Sequence, residues 1–231
     1  MPTFADRVIE FNKNLRLDQK LPPGIKVMIP FAENPEALEI SSKFYRKYYN
    51  DNKRRRLILG INPGRFGAGV TGVPFTDTRR LSEKCGLNIR GINTHETSSV
   101  FIYEVIDAYG GVEKFYSDYY INSPSPLGFV KKNEKGIEIN CNYYDNRELK
   151  EAIYSFLIES IKQHISLGIK TDRAFCLGAG KNYEVLGKMN AEYKFFDELI
   201  PLEHPRYIMQ YKAKKKQAYI EKYLKVLRNK N

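Results

Sequence analysis

An α/β fold is predicted, with three layers (α/β/α) around a central, mostly parallel four-stranded sheet. Three observations predict it. Four short apolar runs each end abruptly at glycine, proline or asparagine. Segments with helical periodicity separate those runs, and they are too long for hairpin turns. No internal repeat, low-complexity tract or long linker interrupts the pattern, so a single domain over 1–231 is expected. The chain is 42% hydrophobic, enough to bury a core and to argue against wholesale disorder.

The elements follow in order. Residues 3–16 read as a helix with Phe4, Val8, Ile9 and Phe11 apolar, stopped by Pro22-Pro23-Gly24. Asn34-Pro35-Glu36 is a helix start, and 35–50 carries Leu38, Phe44, Tyr45 and Tyr48 on one face. Leu57-Ile58-Leu59 is the first strand, a continuous apolar run suited to a buried parallel position, and it breaks at Gly60 and Pro63-Gly64. Residues 97–109 form a helix. Tyr119-Tyr120-Ile121 is the second strand, and 146–167 a long amphipathic helix. Residues 173–178 are the third strand, 181–191 a helix, 195–203 the fourth strand and 212–229 a last helix. Ligands in such sheets bind beyond the carboxyl ends of the strands. The loops carrying Asn62, Asn122 and His204 should therefore share one crevice.

Composition narrows the function. Lys and Arg number 38 against 27 Asp and Glu, a net charge of +11, which favours a polyanionic partner and nucleic acid first. The basic residues cluster at Lys53-Arg54-Arg55-Arg56 and at Lys212 with Lys214-Lys215-Lys216. No stretch approaches the ~20 apolar residues of a membrane span, and the first residues contain no apolar signal core. Cys85, Cys141 and Cys176 are too far apart for a CxxC zinc pair or a disulfide framework, so a reducing cytoplasmic setting is expected.

Phosphate-loop readings fail. GINPGRFG has glycines at 60, 64 and 67, which is not GxGxxG, and Pro63 removes a backbone donor. LGAGKN has Phe175 where a Walker loop needs glycine, and Asn182 where it needs Ser or Thr. Of the histidines, His164 reads as a boundary residue of the long helix and His95 as a solvated loop residue. His204, before a proline at a strand end, is rigidly presented.

The segment GINPGRFGAGVTGVPF, Gly60 to Phe75, resembles the first motif of the uracil-DNA glycosylase superfamily. It is most similar to the single-strand-selective monofunctional branch, whose motif reads approximately GMNPGPFGMAQTGVPF. The likeness continues in order through SSVFIYEVI (98–106), YYINSPSPLGF (119–129), RAFCLGAGK (173–181) and LEHPR (202–206), and spans about 25–211. One departure stands at the closing motif. Relatives read HPSPRN, whereas here Pro205 is followed by Arg206-Tyr207-Ile208-Met209.

The resemblance implies a monofunctional DNA-repair glycosylase that flips a deaminated base from DNA and hydrolyses its N-glycosidic bond. It implies no metal or cofactor, a monomer, and a cytoplasmic, nucleoid-associated setting. By the same resemblance Asn62 places the attacking water and His204 stabilises negative charge on uracil O2, helped by the backbone N–H of Ile61. Asn122 reads O4 and N3–H, and Phe75 stacks on the base. Gly72 and Pro74 shape the loop, and Gly64 lies near C5. Arg65, Pro205, Arg206 and Tyr207 face the DNA. Asn62 is expected to be replaceable without cost to folding. Rival readings are a glycosylase of the same fold that prefers hypoxanthine, xanthine or mismatched bases, a catalytically silent nucleic-acid binder, and a nucleotide-binding α/β enzyme.

Overall fold

The computed structural model describes residues 1–89 and 91–229. Thr3 and Asp6 form a reciprocal capping box that starts α1 (Phe4–Lys13), whose apolar face buries Phe4, Ala5, Val8 and Ile9. A short strand β1 (Ile25–Met28) leads to α2 (Pro30–Glu33). The Asn34 side chain accepts the Glu36 N–H and caps α3 (Pro35–Tyr49). Next come β2 (Arg56–Leu59), α4 (Ala68–Thr71), α5 (Thr78–Cys85), α6 (Thr97–Tyr109), α7 (Val112–Asp118) and β3 (Tyr119–Asn122). A hairpin of β4 (Gly128–Lys132) and β5 (Glu138–Cys141) precedes α8 (Arg147–Ala152) and α9 (Tyr154–Ser166). The chain ends with β6 (Lys170–Leu177), α10 (Lys181–Tyr193), β7 (Glu198–Leu202), α11 (Pro205–Tyr211), a 3-10 turn at Ala213–Lys215 and α12 (Lys216–Arg228).

The central sheet runs β3-β2-β6-β7, and every pairing is parallel. Leu57, Ile58 and Leu59 are buried, as a strand covered on both faces requires. Ile58, Ile121 and Leu177 pack against residues of α6, α7 and α12. On the opposite face the Tyr120 ring meets Phe4, Tyr49 and His164, from α1, α3 and α9. These contacts build the three layers. Two backbone bonds extend the ladder past the strand ends: Gly60 N–H to Asn122 O at 2.8 Å, and Gly178 N–H to Leu202 O at 2.7 Å. The loops after the strands are thus tied together where they leave the sheet.

Several expectations change. A second, antiparallel sheet of order β1-β4-β5 lies beside the first. Its strands span four or five residues, and Lys131 and Lys132 leave the end of β4 exposed, so periodicity carries little signal there. The long helix over 146–167 is broken at Ile153 (φ −105°, ψ 9°), and Leu149, Ile153 and Leu157 are all buried in the core. The fourth strand is shorter than 195–203, because Phe195 and Phe196 are buried before pairing begins. The segment after His204 is helical, since Pro205 occupies the first helical position and His204 caps it. The last helix begins only at Lys216.

The cluster Lys53–Arg56 is not a free basic face. Arg55 is wholly buried, and all five of its N–H groups are used. They reach Asp51 (2.8 and 2.9 Å) and the backbone oxygens of Tyr116 (2.7 Å), Lys53 (3.0 Å) and Tyr48 (3.4 Å). Its guanidinium also stacks over Phe4 and Tyr49. Arg56 pairs with Asp172 at 2.6 Å, and Arg54 donates to Ile169 O at 3.0 Å. These arginines staple the amino-terminal edge of the sheet. Arg55→Ala removes the arginine partner of Asp51 and of three carbonyls and should lower unfolding free energy by roughly 3–5 kcal/mol in urea melts. A loss under 1 kcal/mol would refute the staple.

Candidate active site

The loop leaving β2 is built by close approach. A Cβ on Gly60 would come within 2.6 Å of the Phe75 ring, so only glycine lets that ring lie over the strand end. Phe75 holds φ +53°, a left-handed backbone that costs an aromatic residue energy and is kept here by its surroundings. The buried Thr71 hydroxyl supplies part of that restraint. It accepts the Val73 N–H at 3.1 Å and donates to Thr76 O at 2.7 Å. Gly72, at φ +67°, turns the chain where a Cβ would strike Phe31 and Ala37. The ring so placed stands 5.7 Å from that of His204.

Asn62 is 6% exposed and held at both ends of its carboxamide. Its Nδ2 donates to Cys141 O at 3.1 Å, and its Oδ1 accepts the Tyr143 N–H at 2.9 Å. Nδ2 also reaches Pro63 O at 3.5 Å, a long contact from which its second N–H can turn to a ligand, and one lone pair on Oδ1 remains as well. The amide therefore also latches the loop after β5 onto the loop after β2, and the expectation that Asn62 is dispensable for folding is corrected. Asn122 is fixed the same way. Nδ2 donates to the Tyr120 hydroxyl at 2.6 Å, and Oδ1 accepts the Ser123 N–H at 2.9 Å.

His204 is fixed by the helix that it caps. The Arg206 N–H donates to Nδ1 at 3.1 Å. Nδ1 is thereby an acceptor, so the neutral ring carries its proton on Nε2. Nε2 is out of contact with bulk water and has no hydrogen-bond partner among the described residues. Burial, and secondarily the Arg206 charge, push the His204 pKa down to about 3. The ring is thus neutral, its Nε2–H is unpaired among the described residues, and His204 lines a cleft.

That cleft takes in about 680 Å³, the open solvent at its mouth included. Ile61, Asn62, Gly64, Gly72, Phe75, Asn122, His204 and Arg206 all line it. The structure brings these expected residues together from loops far apart in sequence. Three others stand outside the lining. Pro205 is buried in the first turn of α11. Arg65 sits over the exposed Phe66 ring at 5.1 Å and reaches Glu138 at 3.8 Å. Tyr207 is exposed and packs on Tyr211.

Sequence reasoning missed Asn12, Phe31, Tyr45, Glu96 and Ser98 in the lining. Asn12 lies on the buried side of α1, where an apolar residue would be ordinary, and that was its one signal. Glu96 immediately precedes α6, with Ser98 two positions on, and sequence reasoning assigned neither of them a role. His164 is no boundary residue. It is fully buried and donates from Nε2 to Ser123 O at 3.2 Å, supporting the loop after Asn122, and burial pushes its pKa down to about 4. His95 is a loop residue with about half its ring exposed, as read, but bonded to Arg80 at 2.9 Å. Among the described residues no group of three or more His, Cys, Asp or Glu is placed to hold a metal ion.

The pattern of the Uracil DNA glycosylase superfamily matches residues 46–228. The chain belongs to that superfamily. Wild-type SMUG2 of Pedobacter heparinus, known from a crystal structure, is 55% identical over 99% of this chain and 98% of its own, with a TM-score of 0.97. No curated protein sequence matches. As a superfamily member the protein is a DNA glycosylase, a hydrolase of DNA repair. Asn12, Phe31 and Tyr45, from α1–α3, lie outside the matched span and also line the cleft.

Both buried histidines have folded pKa values below the ordinary 6.5. Between about 4 and 6.5 the unfolded chain binds protons that the folded one refuses, so stability should rise with pH across that window. Nitrogen-detected NMR should find His204 protonated at Nε2 and untitrated between pH 5 and 8. A titration midpoint near 6.5 would refute the assignment.

Proposed function

We propose that this protein is a monofunctional uracil-DNA glycosylase. It would hydrolyse the N-glycosidic bond of a flipped deoxyuridine and leave an abasic site. The observation that carries the reading is His204, whose Nε2–H is unpaired among the described residues and which lines the same cleft as two carboxamides whose orientations are already fixed.

The chemistry follows from charge. As the bond breaks, the sugar gains oxocarbenium character and uracil leaves as an anion, with charge on O2. A preoriented donor in a site sheltered from water stabilises that charge without reorganising. His204 fits because it is neutral. It gains a strong charge-assisted bond only as the anion forms, which favours the transition state over the bound substrate. The Ile61 N–H would assist at the same oxygen.

Asn62 would hold water beneath C1′ with its remaining N–H and lone pair. An amide orients water without taking its proton, so leaving-group stabilisation bears most of the catalysis. Asn122 would pair its free N–H with O4 and its free lone pair with N3–H. Cytosine reverses that pattern and would leave buried groups unpaired. Phe75 would stack on the base, and Gly64 would face the C5 edge. Arg65, with Arg206 and Tyr207 on the helix that Pro205 starts, would meet the DNA backbone and flanking bases.

The test is an end-labelled oligonucleotide with one uracil, incubated in EDTA and then treated with alkali. Alkali-dependent scission is expected, and it should fall about 10²–10³-fold in His204→Ala. Asn62→Ala should be comparably slow and, with its latch gone, less stable to heat. Wild-type rates in His204→Ala, or scission without alkali, would overturn the reading.

A further inference from the structure

A carboxylate in the wall of a DNA-binding cleft calls for an explanation, because it repels the phosphates that the cleft receives. Glu96 is that carboxylate. Its backbone N–H donates at 2.8 Å to Asp77, whose carboxylate is fully buried and also caps α5. Its side chain is 17% exposed. A Cβ on Gly67 would collide with the carboxylate, and one on Gly64 would stand 3.3 Å from Oε1. Two glycines of the loop after β2 therefore leave the space that this carboxylate fills. Burial pushes its pKa up, and the Arg206 guanidinium draws it back.

Arg206 is the cation that faces Glu96, at 3.6 Å, and its side chain is 36% exposed. That distance is long for a charge-assisted bond, and most of the five guanidinium donors remain unused. The same residue serves the site through its backbone, whose N–H fixes the His204 tautomer. Its side chain is free to exchange partners without disturbing that bond.

We propose that Glu96 is a positioning residue that holds the Arg206 guanidinium at the cleft mouth and cedes it to a DNA phosphate when a nucleotide enters. This rests on the DNA-glycosylase reading above, but it concerns binding rather than the base removed. In the free protein the pair keeps Arg206 from folding across the opening. In the complex a phosphate, with its greater charge and multiple acceptors, takes the guanidinium. Glu96 is thus an internal competitor that lowers affinity for backbone alone and leaves tight binding to nucleotides that also fill the cleft.

The probe is an oligonucleotide carrying one tetrahydrofuran abasic analogue, which has no glycosidic bond to cleave. Dissociation constants would be measured by fluorescence anisotropy across a salt series. Glu96→Gln should bind roughly threefold to tenfold tighter than wild type. Arg206→Gln should bind more weakly and lower the salt slope by about 0.7 on a single strand. The deciding reading is the double variant: with Arg206→Gln in place, Glu96→Gln should have no further effect. An equal gain in both backgrounds would mean simple charge repulsion and would overturn the exchange. Glu96→Asp keeps the charge but withdraws it from Arg206 by one methylene. It should tighten binding as Glu96→Gln does, so it also serves if Glu96→Gln does not fold. Unchanged affinity in Glu96→Asp would count against the proposal. Failure to excise uracil would overturn the preceding reading and leave these binding results standing.

Discussion

One buried amide network sets the geometry on which the site depends. Asn182, at the start of α10, donates from Nδ2 to the carbonyls of Gly60 (3.2 Å) and Leu177 (3.0 Å). Its Oδ1 accepts the Tyr143 hydroxyl at 2.6 Å, and the Tyr143 backbone N–H binds Asn62. A few bonds thus join the carboxyl ends of β2 and β6 to the loop after β5. Strand ends leave unpaired carbonyls, and buried ones are costly unless satisfied. The side chains that satisfy them also fix where Asn62 stands.

The cleft shows how preorganisation is distributed. Asn62, Asn122 and His204 each use part of their bonding capacity on the fold and keep the rest for a ligand. The fold-facing bonds remove rotational freedom that would otherwise be lost on binding. They also remove ambiguity. An unrestrained imidazole has two neutral tautomers and an unrestrained amide two orientations, whereas here one of each is selected by a backbone N–H. The strained backbone of Phe75 belongs to the same design, since the energy stored there places an aromatic wall that a relaxed loop would not hold.

Charge divides between structure and surface in a way that composition cannot reveal. The net charge of +11 pointed to a polyanion, and the superfamily agrees, yet the densest arginine run is spent on Asp51, Asp172 and main-chain oxygens, with Arg55 wholly buried. Arg206, an isolated residue in the sequence, stands in the cleft instead. Guanidinium suits both tasks, as a five-donor staple when buried and as a phosphate ligand when exposed.

The sequence by itself determined the parallel sheet, its longer helices and the shared location of Asn62, Asn122 and His204, while Phe75 came with the family resemblance. Apolar runs ending at glycine and proline are local signals, and strand ends in such sheets converge by topology. It left the β1-β4-β5 sheet unread, because those strands are short and partly exposed. Only the tertiary structure decided that Arg55 is buried, that His204 is a neutral Nε2 donor, that Asn62 is also a latch, and that Glu96 faces Arg206. Each of these depends on contacts that elements distant in the chain make only once packed, and no local pattern records them.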